Sequence, residues 1–96
     1  MKIKVANYIS QFLVDHGVTD AFSVVGGGAM HLNDAFGHQE GLHTTYNHHE
    51  QACAIAAEAY ARLENKIALV CVTSGPGGIN ALTVFAAVGL IQFLCL

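Results

Sequence analysis

Apolar side chains recur at helical spacing near the start of the chain, and this pattern predicts a helix over residues 4–16. Gly17 is well placed to end that helix, because glycine tolerates the left-handed conformation common at helix ends. Beyond it, short apolar or β-branched runs alternate with longer helical patterns. The alternation indicates that strands and helices follow one another along the chain.

Three strands are predicted, over residues 20–25, 42–46 and 67–72, and the third is apolar on both faces, as a central parallel strand is. The helices between and after them are predicted over 29–36, over 50–63 and from about 79 onwards. Strands joined by helical crossovers give an α/β fold, in which a parallel sheet carries helices on both faces.

Composition narrows the class of protein. The 96 residues make one small domain, with 53% hydrophobic and 11% charged residues and a net charge of −3. Four basic residues give no stripe that could neutralise phosphates, which argues against a nucleic-acid partner. The long uncharged stretch 67–96 is interrupted by a glycine-rich turn, so no membrane span is expected. The three cysteines, two of them in apolar runs, favour buried thiols in a reducing cytoplasm.

The candidate functional residues follow the carboxyl ends of the predicted strands. Residues 26–28, 47–50 and 73–80 follow the three strands, and ligands of open α/β sheets bind beyond the carboxyl ends of strands. Glu50 is either an ordinary first-turn acid or a carboxylate held beside a ligand. The glycine turns could cradle a phosphate, but neither has the spacing of a dinucleotide fingerprint or a P-loop.

The spacing of the histidines and cysteines predicts structural roles for them. None of the six histidines has metal-ligand spacing with a cysteine or another histidine, so no metal site is expected. Cys53 and Cys71 lack a neighbouring base in sequence, which argues against a nucleophile.

Two motifs resemble the N-terminal, pyrimidine-binding domain of thiamine diphosphate-dependent enzymes, of the acetolactate synthase-like branch. The first is His-Glu-Gln-Ala at 49–52 with Ala-Tyr-Ala-Arg at 59–62. The second is Thr-Ser-Gly-Pro-Gly at 73–77 with Asn80. A third run, 22–27, is similar to a family turn except that Val25 replaces its proline. The resemblance covers residues 1–83, which would form an incomplete pyrimidine domain.

The resemblance implies roles for particular residues. The glutamate that matches Glu50 hydrogen-bonds N1′ of the cofactor's aminopyrimidine and so activates the cofactor. A carboxylate in an apolar cleft can have a raised pKa, which would help it to share a proton with a ring nitrogen. Gly27, Thr73, Pro76 and Asn80 match positions that line the same cleft. The diphosphate and its Mg²⁺ belong to a separate C-terminal domain.

The resemblance also implies that the parent enzyme acts on a 2-oxo acid such as pyruvate, in branched-chain amino acid biosynthesis, as a homodimer or tetramer. This chain, without the other domains, is expected to be inactive alone. Two alternatives stay open at this point. One is a small nucleotide-binding α/β module with diphosphate at residues 75–78, and the other is an inert pseudogene product.

The family pattern stops at Thr83, after which the family continues roughly Gly-Val-x-Gly-Gly-Trp-x-Asp-Ser-Ile-Pro. With suitable codons, a DNA sequence can encode such a family-like continuation after Thr83. Loss of one G from the GGG run at the Thr83 codon then shifts the frame, and the same DNA encodes residues 84–96 of this chain. We therefore predict that 84–96 is an out-of-frame tail, whose apolar run would leave a sheet edge uncovered.

Sequencing the coding DNA across the Thr83 codon tests this prediction. We expect another reading frame to continue as Asp-Ser-Ile-Pro and, further downstream, to encode a Gly-Asp-Gly motif. Coding DNA with no single-base loss relative to close relatives would contradict the prediction.

Overall fold

The computed structural model describes residues 2–88 and 92–95. Helices and strands alternate as the pattern predicts through residue 88, and the strand at 92–95 is an additional element that the pattern does not predict. In chain order the elements are α1 (Val5–Asp15), β1 (Asp20–Ser23), a 3-10 turn (Gly27–Ala29), α2 (Met30–His38), β2 (His43–Tyr46), α3 (Glu50–Glu64), β3 (Ala68–Cys71), α4 (Pro76–Val88) and β4 (Gln92–Cys95).

The four strands form one parallel sheet in the order β2-β1-β3-β4. In register, Ala21 of β1 is paired with Thr44 of β2 on one side and with Leu69 of β3 on the other. All four residues of β3 are buried, which fits its position inside the sheet. The carboxyl ends of β1, β2 and β3 therefore lie along the same edge.

Two apolar cores cover the two faces of the sheet, and successive residues of β3 point alternately into each. The first core lies under α1 and α2, and its buried members are Leu13, Val18, Ala21, Ala29, Phe36, Leu69 and Cys71. The second lies under α3 and α4, and its buried members are Cys53, Ala57, Ala61, Ala68, Val70, Val72 and Ala81. The predicted α/β architecture, with a parallel sheet and helices on both faces, is confirmed.

The clearest local difference from the sequence prediction is the start of α4. The helix begins at Pro76, three residues before the predicted position near Ile79. Proline is tolerated at the first position of a helix, where its missing N–H has no helical partner to lose. The two glycines that follow are therefore helical residues, although their local propensity is for a turn.

The predicted out-of-frame tail falls partly within the described residues. The backbone of 92–95 pairs with β3, so the expectation that this edge of β3 stays uncovered is wrong. Strand pairing uses backbone groups, which any non-proline sequence supplies. Residues 89–91 and 96 lie outside the described residues, and the assignment of 84–96 to an out-of-frame tail stays a prediction.

Among the described helices, none combines the length and the apolar character needed to cross a bilayer.

Candidate functional site

Three loops meet at the carboxyl edge of the sheet. The loop after β1 leads into the 3-10 turn, the loop after β2 leads into α3, and the loop after β3 leads into α4. The Asn47 N–H donates to the Ser23 carbonyl oxygen at 2.9 Å, which extends the pairing of β1 and β2 towards the first helical residue, Glu50. Parallel pairing thus places the glycine turn and the Glu50 loop beside one another.

Thr73 is the side chain around which these loops pack. A Cβ atom added at Gly26 would lie 2.5 Å from Thr73 Cβ, and one at Gly28 would lie 2.9 Å from Thr73 Oγ1. A Cβ at Gly77, in the first turn of α4, would lie 3.2 Å from Thr73 Cγ2. Glycine is needed at Gly26 and Gly28 because the backbone passes too close to Thr73 for any side chain.

The Glu50 carboxylate lies against the start of α4. The Asn80 side-chain amide donates to Glu50 Oε1 at 3.2 Å. The position of a Cβ at Gly77 would be 3.3 Å from Glu50 Oε2, and Glu50 itself is partly buried. The structure therefore brings together Glu50, Thr73 and Asn80, three of the five residues that the resemblance indicated.

The other two residues, Gly27 and Pro76, border this cluster without a described contact to the carboxylate. A Cβ atom at Gly27 would meet no heavy atom within 4 Å, so Gly27 faces open space. Pro76 is exposed and begins α4, one residue before Gly77.

Hydrogen bonds keep the Glu50 carboxylate ionised. The backbone N–H of Glu50 lowers the pKa of its carboxyl group most, and the Asn80 amide lowers it further. Partial burial acts in the opposite direction, and the nearby His49 adds a smaller lowering effect. The direction of the pKa shift is thus opposite to the raised value expected from sequence, because donors at a helix start outweigh desolvation here.

A buried polar group beneath the loops was not predicted. The Ser23 hydroxyl, fully buried at the end of β1, lies 2.9 Å from the Asn33 side-chain oxygen and 2.9 Å from the Cys71 carbonyl oxygen. Through Ser23, α2 and the ends of β1 and β3 are held together under the glycine turn. The signal available in the sequence was a serine within an apolar strand, which needs a buried partner.

The buried thiol of Cys53 is protonated at neutral pH. Cys53, buried on α3, lies with its Sγ atom 3.4 Å from Asn47 Oδ1. Desolvation is the main cause that raises the pKa of Cys53 to about 11, and the Glu50 charge contributes in the same direction. A thiolate nucleophile is therefore disfavoured at neutral pH, as the absence of a neighbouring base predicts.

A comparison with protein families identifies the class. The family model for the N-terminal TPP binding domain of thiamine pyrophosphate enzymes matches residues 3–89. The chain belongs to this family, and it does so over nearly its whole length.

Individual relatives narrow the resemblance within the class. The chain is 39% identical to the acetolactate synthase large subunit of Haemophilus influenzae over 85% of its own length and 14% of the relative's. It is 40% identical to the large subunit of Lactococcus lactis over 78% of this chain and 13% of the relative. It is 36% identical to the acetolactate synthase isozyme 3 large subunit of Escherichia coli, over 81% of this chain and 14% of the relative. The chain is thus acetolactate synthase-like and spans about one seventh of these relatives' length.

Two neighbouring glycines provide a matched test of the packing around Thr73. We expect Gly26→Ala to lower the free energy of unfolding by about 1–3 kcal/mol, because its Cβ would overlap Thr73. Gly27→Ala adds the same methyl group in open space and should change it by less than about 0.5 kcal/mol. Urea denaturation of both variants measures the difference, and equal losses would contradict the close packing.

The low pKa of Glu50 predicts a pH dependence of stability. A carboxyl group with a lowered folded-state pKa stabilises the fold above its unfolded pKa of about 4.3, and this contribution disappears as the pH falls through the folded value. The unfolding free energy of wild type minus that of Glu50→Gln should therefore shrink on acidification below about pH 4.3. Glu40→Gln, at an exposed position, is the control, and a difference that grows on acidification would refute the assignment.

Proposed function

We propose that the cluster of Glu50, Thr73, Asn80 and Gly27 binds the aminopyrimidine of thiamine diphosphate, with the Glu50 carboxylate accepting a hydrogen bond from the protonated N1′. The observation that carries the proposal is the position of Glu50, which is a partly buried carboxylate at the carboxyl edge of a parallel sheet. Because the chain belongs to the TPP-binding family, thiamine diphosphate is the ligand we expect at that carboxylate.

The residues present fit a ring of this kind. An ionised carboxylate has about four acceptor positions, and the Asn80 amide supplies one donor, which leaves capacity for the N–H of a protonated ring nitrogen. The missing Cβ at Gly77 keeps the carboxylate close to α4 without covering Oε2. The open space beside Gly27 offers an approach at which backbone and a planar ring can come close.

When bound, thiamine diphosphate supplies the carbanion chemistry, and the protein contributes position and polarity. Glu50 holds the proton of N1′ in a hydrogen bond, and Asn80 orients the carboxylate by donating to Oε1. Thr73, fixed by the glycines around it, sets the distance between the glycine turn and α4.

The nucleotide-binding alternative is less well supported by this geometry. A diphosphate at residues 75–78 would have to bind at the N-terminus of α4, the usual anion site of such a turn. Glu50 already presents a negative charge to that first turn, 3.3 Å from the Cβ position of Gly77. An anion bound beside this carboxylate would be repelled, so the site favours a hydrogen-bond donor over an anion.

The wider activity belongs to the same proposal. We infer a parent enzyme that acts on 2-oxo acids such as pyruvate, assembles as a homodimer or tetramer, and binds the diphosphate and Mg²⁺ through a separate domain. Because the matched region is about 14% of the relatives' length, the present chain is expected to be inactive alone. The buried thiols of Cys53 and Cys71 suit a reducing cytoplasm.

Titration of the chain with thiamine, followed by amide NMR, tests the proposal without requiring turnover. We expect saturable shifts at Glu50, Gly27 and Asn80. Glu50→Gln should weaken binding roughly tenfold or more, because a charge-assisted hydrogen bond is lost. Glu40→Gln is the control and should bind like wild type.

A thiamine affinity unchanged in Glu50→Gln would refute the assigned role of this residue. Saturable binding of ADP at Gly75–Gly78 that survives Glu50→Gln would support the nucleotide module. Turnover of pyruvate by this chain alone, with thiamine diphosphate and Mg²⁺, would contradict its expected inactivity.

A further inference from the structure

The residue before Glu50 caps the helix that carries it. His49 has extended backbone angles, φ −152° and ψ 141°, and its Nδ1 atom accepts a hydrogen bond from the Gln51 N–H at 3.0 Å. The His49 carbonyl oxygen accepts the Cys53 N–H at 3.2 Å. The His49 side chain thus satisfies one of the four amide groups that a helix start exposes, and its carbonyl oxygen accepts the first intrahelical hydrogen bond.

A histidine cap requires an unprotonated ring nitrogen as its acceptor. Serine, threonine, aspartate and asparagine are the usual residues at this position, and each carries an oxygen acceptor. Histidine can replace them only when Nδ1 is unprotonated, since a protonated imidazole has two donors and no acceptor. The contact with Gln51 therefore selects the neutral tautomer with its proton on Nε2.

We propose that His49 is a positioning residue for Glu50, and that its neutral ring fixes the first turn of α3 so that the carboxylate meets Asn80 and Gly77. The expected effect of His49 on cofactor binding rests on the proposed function. The covalent link between His49 and Glu50 makes the mechanism direct. If the first turn loosened, the 3.2 Å contact with Asn80 would lengthen first, because it depends on where residue 50 stands.

A positioning role differs from a charge effect, and the chain allows the two to be separated. A protonated His49 would also lower the pKa of Glu50 slightly through its charge. His49→Asn keeps a cap acceptor and removes the imidazole, whereas His49→Ala removes both. His48, the exposed neighbour on the other side, gives a control of equal size in His48→Ala.

The experiment uses NMR of the full chain at about pH 7.5, above the ordinary histidine pKa of about 6.5, and follows the Asn80 side-chain amide that donates to Glu50. In His49→Ala we expect the Asn80 side-chain amide proton signal to move upfield, because the Glu50 carboxylate that accepts from it becomes less well placed. Amide exchange at Gln51 should accelerate about fivefold, the usual effect of losing a cap. His49→Asn should restore both values, and His48→Ala should leave both at the wild-type level.

The outcomes decide between the interpretations. If His49→Asn behaves like His49→Ala in the Asn80 side-chain amide signal, capping is not responsible, and the proposal is overturned. If Gln51 amide exchange changes but the Asn80 side-chain signal does not, the cap is merely structural, and the proposal is also overturned. Should His49→Ala fail to fold, His49→Gly replaces it, because glycine accepts the cap conformation without a side-chain acceptor.

Thiamine affinity, measured on the same variants, separates this inference from the proposed function. We expect about fivefold weaker binding in His49→Ala and recovery in His49→Asn. If wild type does not bind thiamine, the proposed function fails, while the Asn80 side-chain amide signal still decides whether His49 positions the carboxylate.

Discussion

The close packing of backbone against Thr73 is the constraint on which the candidate site depends. Gly26 and Gly28 approach this side chain from the loop after β1, and Gly77 approaches it from α4. Because none of them carries a Cβ atom, two loops and a helix start can share a volume that side chains would otherwise fill. The Glu50 carboxylate reaches α4 only because this region is so compact.

The fold could be predicted from sequence because its signals are local and repeated. Helical spacing, short apolar strands and the apolar run of β3 each specify one element, and crossover connections then require a parallel sheet. The start of α4 was placed too late for a physical reason. Local turn propensity describes Gly77 in isolation, but its absence of a side chain is required by Thr73 and Glu50, which are distant neighbours in three dimensions.

The site could be located from sequence but its electrostatics could not. Strand order alone brings the three loops to one edge, and the family motif singled out Glu50. The direction of its pKa shift depends first on the backbone N–H at the helix start and then on the donor Asn80, thirty residues further along the chain. The cap formed by His49 was also missed, because the residues that usually signal a helix start do not include histidine.

The helix that carries Glu50 has one further property. α3 packs against α4 and against β1 and β3, and its buried side chains are all small: Cys53, Ala54, Ala57 and Ala61. A larger residue at these positions would force α3 away from its neighbours, and glycine would weaken the helix by about 1 kcal/mol. Tolerance to mutation along α3 is therefore expected to be confined to its outer face, where residues such as Ile55 and Leu63 are exposed. Evolution can vary the outside of this helix freely only while its inner surface stays nearly fixed.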